Sequence, residues 1–300
     1  MKKTKSNEKI KFILHKALLR FINFPGYCFL RLKVNYHRRR PGKIQEPFII
    51  ISNHNTDLDP VLVLSAFRQH AYAVASEHIF RKGFSSWLLK KALNPIARPK
   101  GTSATGTVIE LLKRLKAGQN ILLFAEGNKS YSGLTNPITA STGKLIKKGG
   151  CTLVTFRLNG GYFTSPRWAK TPIRRGRIDG GVVNVYSPDQ IAGMSSEEIT
   201  QHISDDIFED AYAIQDVQKI RYKGKNLAEG IETALFLCPK CNALATISSH
   251  GNTFTCSCGM KGEYTEYGYL EGNHGFTTIR DWDQWQINKL KQRLIPGDDR

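Results

Sequence analysis

The chain has 300 residues, is 40% hydrophobic and 23% charged, and carries a formal net charge of +19. That length and balance fit one large globular domain with appendages and exclude a disordered or fibrous chain. No apolar run reaches the roughly 18 residues of a spanning helix, so none is expected.

The excess charge is concentrated at the front. Residues 1–43 contain thirteen Lys or Arg and one acid, Glu8. Such a basic arm points to an anionic partner. Ile10, Ile13, Leu14, Ala17, Leu18 and Phe21 have the spacing of one helix face. Pro25-Gly26 is expected to end that helix. An apolar face flanked by lysines suits the interface of a bilayer, and Arg38-Arg39-Arg40 adds attraction to anionic lipid. The competing reading is a helix packed on the core with a solvated polar side. His15, Lys16 and Arg20 interrupt the apolar run and no small-x-small cleavage site follows, which argues against a secretory signal.

From Pro47 the pattern becomes α/β. Apolar runs bounded by turn residues predict strands at 48–52, 71–75, 120–124, 151–158 and 182–186. Helical spacing predicts helices at 60–66, 85–93, from Ser103 or Thr105 to 117, and at 141–148. A further helix is expected from 195 to about 215, opened by the capping box Ser195-x-x-Glu198. Asn94–Pro99 is expected to be extended, because proline disfavours helix at itself and before it. Strands alternating with helices predict a mostly parallel sheet flanked by helices.

Two of these strands end abruptly in polar residues. Phe48–Ile51 runs into Ser52-Asn53-His54-Asn55-Thr56-Asp57-Leu58-Asp59, and Asn120–Phe124 runs into Ala125-Glu126-Gly127-Asn128-Lys129-Ser130. In a parallel sheet both stops lie at the same edge, where ligands bind. A turn before the helix that Pro60 opens can fold Asp59 back onto His54, the geometry of a base with an orienting acid. The simpler alternative is that Asp59 only caps that helix. Arg98 lies between the stops in sequence, after an extended segment.

His54-x4-Asp59, with Asn53 before the histidine, and Phe124-Ala125-Glu126-Gly127-Asn128-Lys129-Ser130 resemble two blocks of the 1-acylglycerol-3-phosphate acyltransferase-like family of glycerolipid acyltransferases. Arg98 resembles the arginine of the intervening block, and Leu153-Val154-Thr155-Phe156 stands at the place of the apolar fourth block. The resemblance covers about residues 48–160. Ala125, Asn128 and Lys129 stand where the later block commonly has Pro, Thr and Arg, and Lys is a point cation where Arg is a planar fork. The resemblance implies an acyl transfer from acyl-CoA or acyl-carrier protein to a hydroxyl of a lysophospholipid. It implies His54 as base, Asp59 as its orienting acid, and neither a catalytic metal nor a covalent enzyme intermediate. Glu126, Gly127 and Asn128 are then expected at the acceptor pocket, with Arg98 and Lys129 holding phosphate.

Cys238-Pro239-Lys240-Cys241 and Cys256-Ser257-Cys258-Gly259 flank an expected hairpin around Gly251-Asn252. Two cysteine pairs on tight turns can supply four thiolates to one structural zinc, and the segment resembles a zinc ribbon. Cys28 and Cys151 are expected in the core. The tail carries Trp282 and Trp285, which either pack on the body or touch membrane.

The expected organisation is a membrane-contacting arm at 1–43, an acyltransferase α/β domain at 44–225, a zinc ribbon at 234–270 and a tail at 271–300. The expected partners are an anionic membrane surface, a lysophospholipid and an acyl thioester, with no nucleic acid. The expected location is cytoplasmic, peripheral on the inner face of the cell membrane. The rival readings are a nucleic-acid-binding zinc-ribbon protein, which would use the charge but leave both polar stops unexplained, and an inactive membrane scaffold.

Overall fold

A computed structural model describes residues 17, 21, 23–76, 96–98, 105–171 and 173–294. The helix expected at 85–93 and most of the one expected at 10–21 lie outside the described residues. The elements in order are α1 (residues 23–34), β1 (Tyr36–Arg38), β2 (Phe48–Ser52), α2 (Asp59–Ala66), β3 (Ala71–Ser76) and β4 (Ile96–Arg98). There follow α3 (Thr105–Lys116), β5 (Asn120–Leu123), α4 (Ala140–Gly149), β6 (Thr152–Asn159), α5 (Gly161–Thr164) and β7 (Ile178–Tyr186). Then come α6 (Pro188–Gly193), α7 (Ser196–Ile207), α8 (Ala211–Gln218), β8 (Ile247–His250), β9 (Thr253–Cys256), β10 (Lys261–Tyr264), β11 (Leu270–Gly272) and α9 (Ile279–Leu294).

Strands β1 to β7 form one sheet in the order β1-β7-β6-β2-β5-β3-β4. Every pairing is parallel except β6 with β7. The mostly parallel α/β sheet is therefore as expected, with one antiparallel pair. β2 lies at its centre and all five of its residues are buried. Successive side chains of a strand point to opposite faces. Phe48 and Ile50 accordingly pack with Leu62, Val63 and Phe156, while Ile49 and Ile51 pack with Leu111, Ile146, Ile199 and Ile203.

Three local expectations are corrected. The helix does not end at Pro25-Gly26, since residues 23–34 are helical throughout. Proline removes one backbone donor, and tertiary contacts outweigh that loss. Leu30 and Val34 are buried in the core, and Asn23 Nδ2 donates to the carbonyls of Ser65 and Phe67 at 3.1 and 3.2 Å. With Tyr36 buried in β1, residues 23–38 of the basic segment are built into the α/β body. The single helix expected from 195 to about 215 is two helices, α7 and α8, separated by Phe208-Glu209-Asp210. The Ser195 capping box is present, and Asp210 caps α8 by accepting from Tyr212 N and Ala213 N. The strand expected at 182–186 starts earlier, at Ile178, and includes Gly180-Gly181.

Strands β8 to β11 form a separate antiparallel sheet in the order β11-β10-β9-β8. One apolar cluster joins it to the body, with Phe254, Tyr264 and Trp282 packed together with Tyr162, Phe163, Trp168 and Tyr212. Of the two fates considered for the tail tryptophans, packing on the body holds for Trp282. It is fully buried in α9 and donates from Nε1 to the Leu237 carbonyl at 3.0 Å.

Candidate active site

The sheet brings the two polar stops together. β2 and β5 are parallel neighbours, with Ile51 opposite Leu123, so the residues after each strand leave the sheet at the same edge. The turn after β2 carries Asn53 to Leu58. Asp59, fully buried, faces back into this turn. Its Oδ2 lies 2.9 Å from His54 Nδ1 and accepts from Asn55 N at 2.6 Å and Thr56 N at 2.8 Å. Its Oδ1 accepts from Thr56 Oγ1 at 2.7 Å. Asp59 is not the helix cap, because Leu58 occupies that position and the carboxylate serves the preceding turn. The His54 ring stacks on Phe124 at the end of β5, with centroids 4.4 Å apart, and its side chain is 21% exposed.

Glu126 grips the same turn from the other side. Its Oε1 accepts from His54 N at 2.6 Å, and its Oε2 accepts from Asn136 N at 2.6 Å and Asn136 Nδ2 at 3.0 Å. Ser130 N donates to the His54 carbonyl at 3.0 Å. Glu126 therefore ties the two loops together instead of standing free in a pocket. Burial pushes its carboxyl up to about 7, against the pull of the bonds from Asn136 and His54. Gly127 turns the chain with φ of +73°, a conformation that costs other residues energy. Asn128 is exposed, and its carbonyl accepts from Asn136 Nδ2 at 3.2 Å.

Lys129 and Arg167 border this loop. Lys129 Nζ is 3.0 Å from Asp57 Oδ1, so it already has an acidic partner from the His54 turn. Asp57 is 70% exposed, which keeps this pair weak and exchangeable. Arg167, unremarked in the sequence, reaches the same loop. It donates from Nη1 to the Lys129 carbonyl at 3.0 Å and lies over the Tyr131 ring at 4.2 Å. Arg98 closes β4, two strands beyond β5 in the sheet, and its backbone stands at the same sheet edge. Sequence reasoning also missed Glu209, a buried carboxylate behind the His54 turn, because it sits in a stretch that reads as continuous helix.

Residues 31–159 match the family model described as Acyltransferase. Over those residues the chain is similar to the acyltransferase family. The matched region contains His54, Asp59, Arg98 and the whole Glu126 loop, and it begins within α1. No curated protein matches the sequence. Among solved structures, the crystal structure of the 1-acyl-sn-glycerophosphate (LPA) acyltransferase PlsC from Thermotoga maritima is similar, with a TM-score of 0.54. It is 18% identical, and the match covers 73% of this chain and 85% of that one, a likeness of fold.

A second cluster lies in the C-terminal sheet. The sulfurs of Cys238, Cys241, Cys256 and Cys258 all lie within 4.8 Å of one another. Cys238–Cys258 and Cys241–Cys256 sulfurs are each 3.7 Å apart. A disulfide needs about 2.05 Å. Four sulfurs at about 2.3 Å from a tetrahedral zinc stand about 3.8 Å apart, so the cluster fits such an ion. The two pairs come from the turn before Asn242 and from the end of β9, which the hairpin β8–β9 brings together.

The raised Glu126 carboxyl makes a pH-dependent prediction. A folded-state value above the unfolded one means that the folded protein holds the extra proton between about pH 4.5 and 7, so stability falls as pH rises through that window. The thermal midpoint of the wild type is expected to drop across it, and that of Glu126→Gln to drop less. Parallel curves for the two proteins would contradict the assignment.

Proposed function

We propose that this protein is an O-acyltransferase of phospholipid biosynthesis that moves a fatty acyl group from a thioester, acyl-CoA or acyl-carrier protein, to a hydroxyl of a lysophospholipid such as 1-acylglycerol-3-phosphate. The observation that carries this reading is the His54–Asp59 pair, 2.9 Å apart at the sheet edge of an acyltransferase-family domain. The similar fold of a lysophosphatidate acyltransferase supports the acceptor class.

With Nδ1 donating to Asp59, His54 Nε2 carries the lone pair and takes the proton of the acceptor hydroxyl. The freed oxygen attacks the thioester carbonyl carbon. The tetrahedral intermediate collapses with cleavage of the C–S bond, and the departing sulfur receives the proton from His54. Asp59 fixes the ring and stabilises the imidazolium. It is itself held by three further donors, so its position survives the proton transfer. Glu126 holds the backbone of the base in place. Gly127 and Asn128 line the acceptor site, and Lys129, Arg98 and Arg167 supply positive charge for the acceptor phosphate, which displaces Asp57 from Lys129. Replacing His54 by alanine should lower turnover of 1-acylglycerol-3-phosphate and a long-chain acyl-CoA by about 10²–10⁴-fold, the usual range for general-base help. Equal turnover by both proteins would sink the mechanism.

The four cysteines are proposed to hold one structural zinc, which closes the C-terminal sheet and has no open position for chemistry. Metal analysis of the purified protein should find about one zinc per chain, four sulfurs being one zinc's complement. Cys238→Ser should lose the metal and destabilise the sheet. A metal-free, fully stable wild type would refute the site.

Peripheral membrane contact is proposed through the outer side of the N-terminal helix. Phe21, Phe24, Phe29 and Leu32 are 63–83% exposed there, on the side opposite buried Leu30 and Val34. Arg31, Lys33 and the basic residues ahead of them suit anionic lipid, consistent with the cytoplasmic face of the cell membrane. Among the described residues no helix is long and apolar enough to cross a membrane. The double change Phe24→Asp, Leu32→Asp should weaken binding to phosphatidylglycerol vesicles by about 10-fold or more. Leu30→Ala should instead cost about 2–5 kcal/mol of folding stability and leave vesicle binding of the folded protein unchanged. The reverse pattern would assign the faces the other way.

A further inference from the structure

Glu209 belongs to none of the family-like sequence blocks. It lies 50 residues beyond the matched acyltransferase region, in the three-residue break between α7 and α8. It is 2% exposed, and it faces the back of the His54 turn. Its Oε2 accepts from Asn53 Nδ2 at 2.8 Å and from Asn55 Nδ2 at 2.5 Å. Its Oε1 accepts from Gly160 N at 3.0 Å. One carboxylate therefore holds the side chains on both sides of His54 and the chain that leaves β6.

The rest of its surroundings keep that carboxylate in place. Asn53 also completes a two-bond pairing with Leu158, donating to its carbonyl at 2.7 Å and accepting from its N–H at 2.8 Å. Glu209 N donates to Thr135 Oγ1 at 2.8 Å, and its carbonyl accepts from Thr135 N at 3.0 Å. Thr135 precedes Asn136, the partner of Glu126. The His54 turn is thus held twice, by Glu126 through the His54 backbone and by Glu209 through its two neighbours. The break after α7 has a role in this frame, because a continuous helix would carry position 209 past the turn.

A buried carboxylate is a costly way to fill space. Burial pushes Glu209 up to about 8, against the pull of the bonds from Asn55 and Gly160. An apolar residue of similar volume is often as stable or more so. What the carboxylate provides that an apolar residue does not is a fixed direction for Asn53 and Asn55. We propose that Glu209 is a positioning residue for acyl transfer, aligning the His54 ring by gripping Asn53 and Asn55. This inference rests on His54 being the base; Glu209 itself touches neither His54 nor any reacting atom.

The test uses the full chain and four variants: Glu209→Gln, Asn55→Ala, His54→Ala and the double variant with His54→Ala and Glu209→Gln. A carboxamide at 209 puts a donor where one carboxylate oxygen accepted, so not all three N–H groups keep an acceptor. With 1-acylglycerol-3-phosphate and a long-chain acyl-CoA as probes, Glu209→Gln should lower kcat by about 10–100-fold and leave both KM values within about threefold, as a misaligned base would. It should have no further effect in the His54→Ala background. Independently of turnover, the rate at which diethyl pyrocarbonate modifies His54, followed by mass spectrometry, should change in Glu209→Gln and in Asn55→Ala. If Glu209→Gln does not fold, Asn55→Ala carries the test, with a kcat loss of about fivefold or more expected from a smaller misplacement. Wild-type kcat together with an unchanged modification rate would overturn the positioning role while an inactive His54→Ala left the base intact. Undiminished turnover in His54→Ala would overturn both.

Discussion

The site depends on satisfying one buried charge. Asp59 has no exposure, and an ionised carboxylate left without partners in that position would cost several kcal/mol. Four donors converge on it, from His54, Asn55 and twice from Thr56. They do so only if the chain after β2 folds into one particular turn, so the energetics of the carboxylate and the orientation of the histidine are the same constraint. The imidazole is the one member of the set with an edge toward solvent. The imidazole is thereby mounted on atoms that cannot move without losing hydrogen bonds.

Around that turn the fold supplies a second layer of support from distant parts of the chain. Glu126 follows the neighbouring parallel strand, and Glu209 follows a helix on the far side of the family-matched region. Both carboxyls are raised by burial, and both are held by N–H donors rather than by cations. Positive charge is kept for the exposed side, where Lys129 and Arg167 border the loop. Buried carboxyl groups thus form the interior frame, and cations stand at its rim.

The C-terminal sheet is coupled to this frame by packing. Phe163 and Tyr162 in α5, immediately after Gly160, belong to the same apolar cluster as Phe254, Tyr264 and Trp282. Gly161 approaches Asn55 closely enough that an added Cβ would lie 3.3 Å from the Asn55 Cβ. The four-cysteine module is thus attached to the element that backs the His54 turn, which gives it a physical part in the enzyme even though its sulfurs lie in a separate sheet.

The central features were legible in the sequence because they are local. Four apolar residues ending in Asn53-His54 predict a buried strand and an abrupt polar edge, and the same pattern at Phe124-Ala125-Glu126 predicts a second one beside it. The cysteine spacing likewise determines that two tight turns face each other across a hairpin. Tertiary structure alone decided the rest. Whether residues 23–34 form a free arm or part of the body depends on Leu30 and Val34 finding the core, a contact that outweighs the proline in the same helix. Glu209 looks like one more acid on a solvated helix face, since its partners Asn53, Asn55 and Gly160 are far away in sequence. Desolvation and hydrogen-bond partners are set by which segments cross in space, and a linear pattern of residue types does not record that.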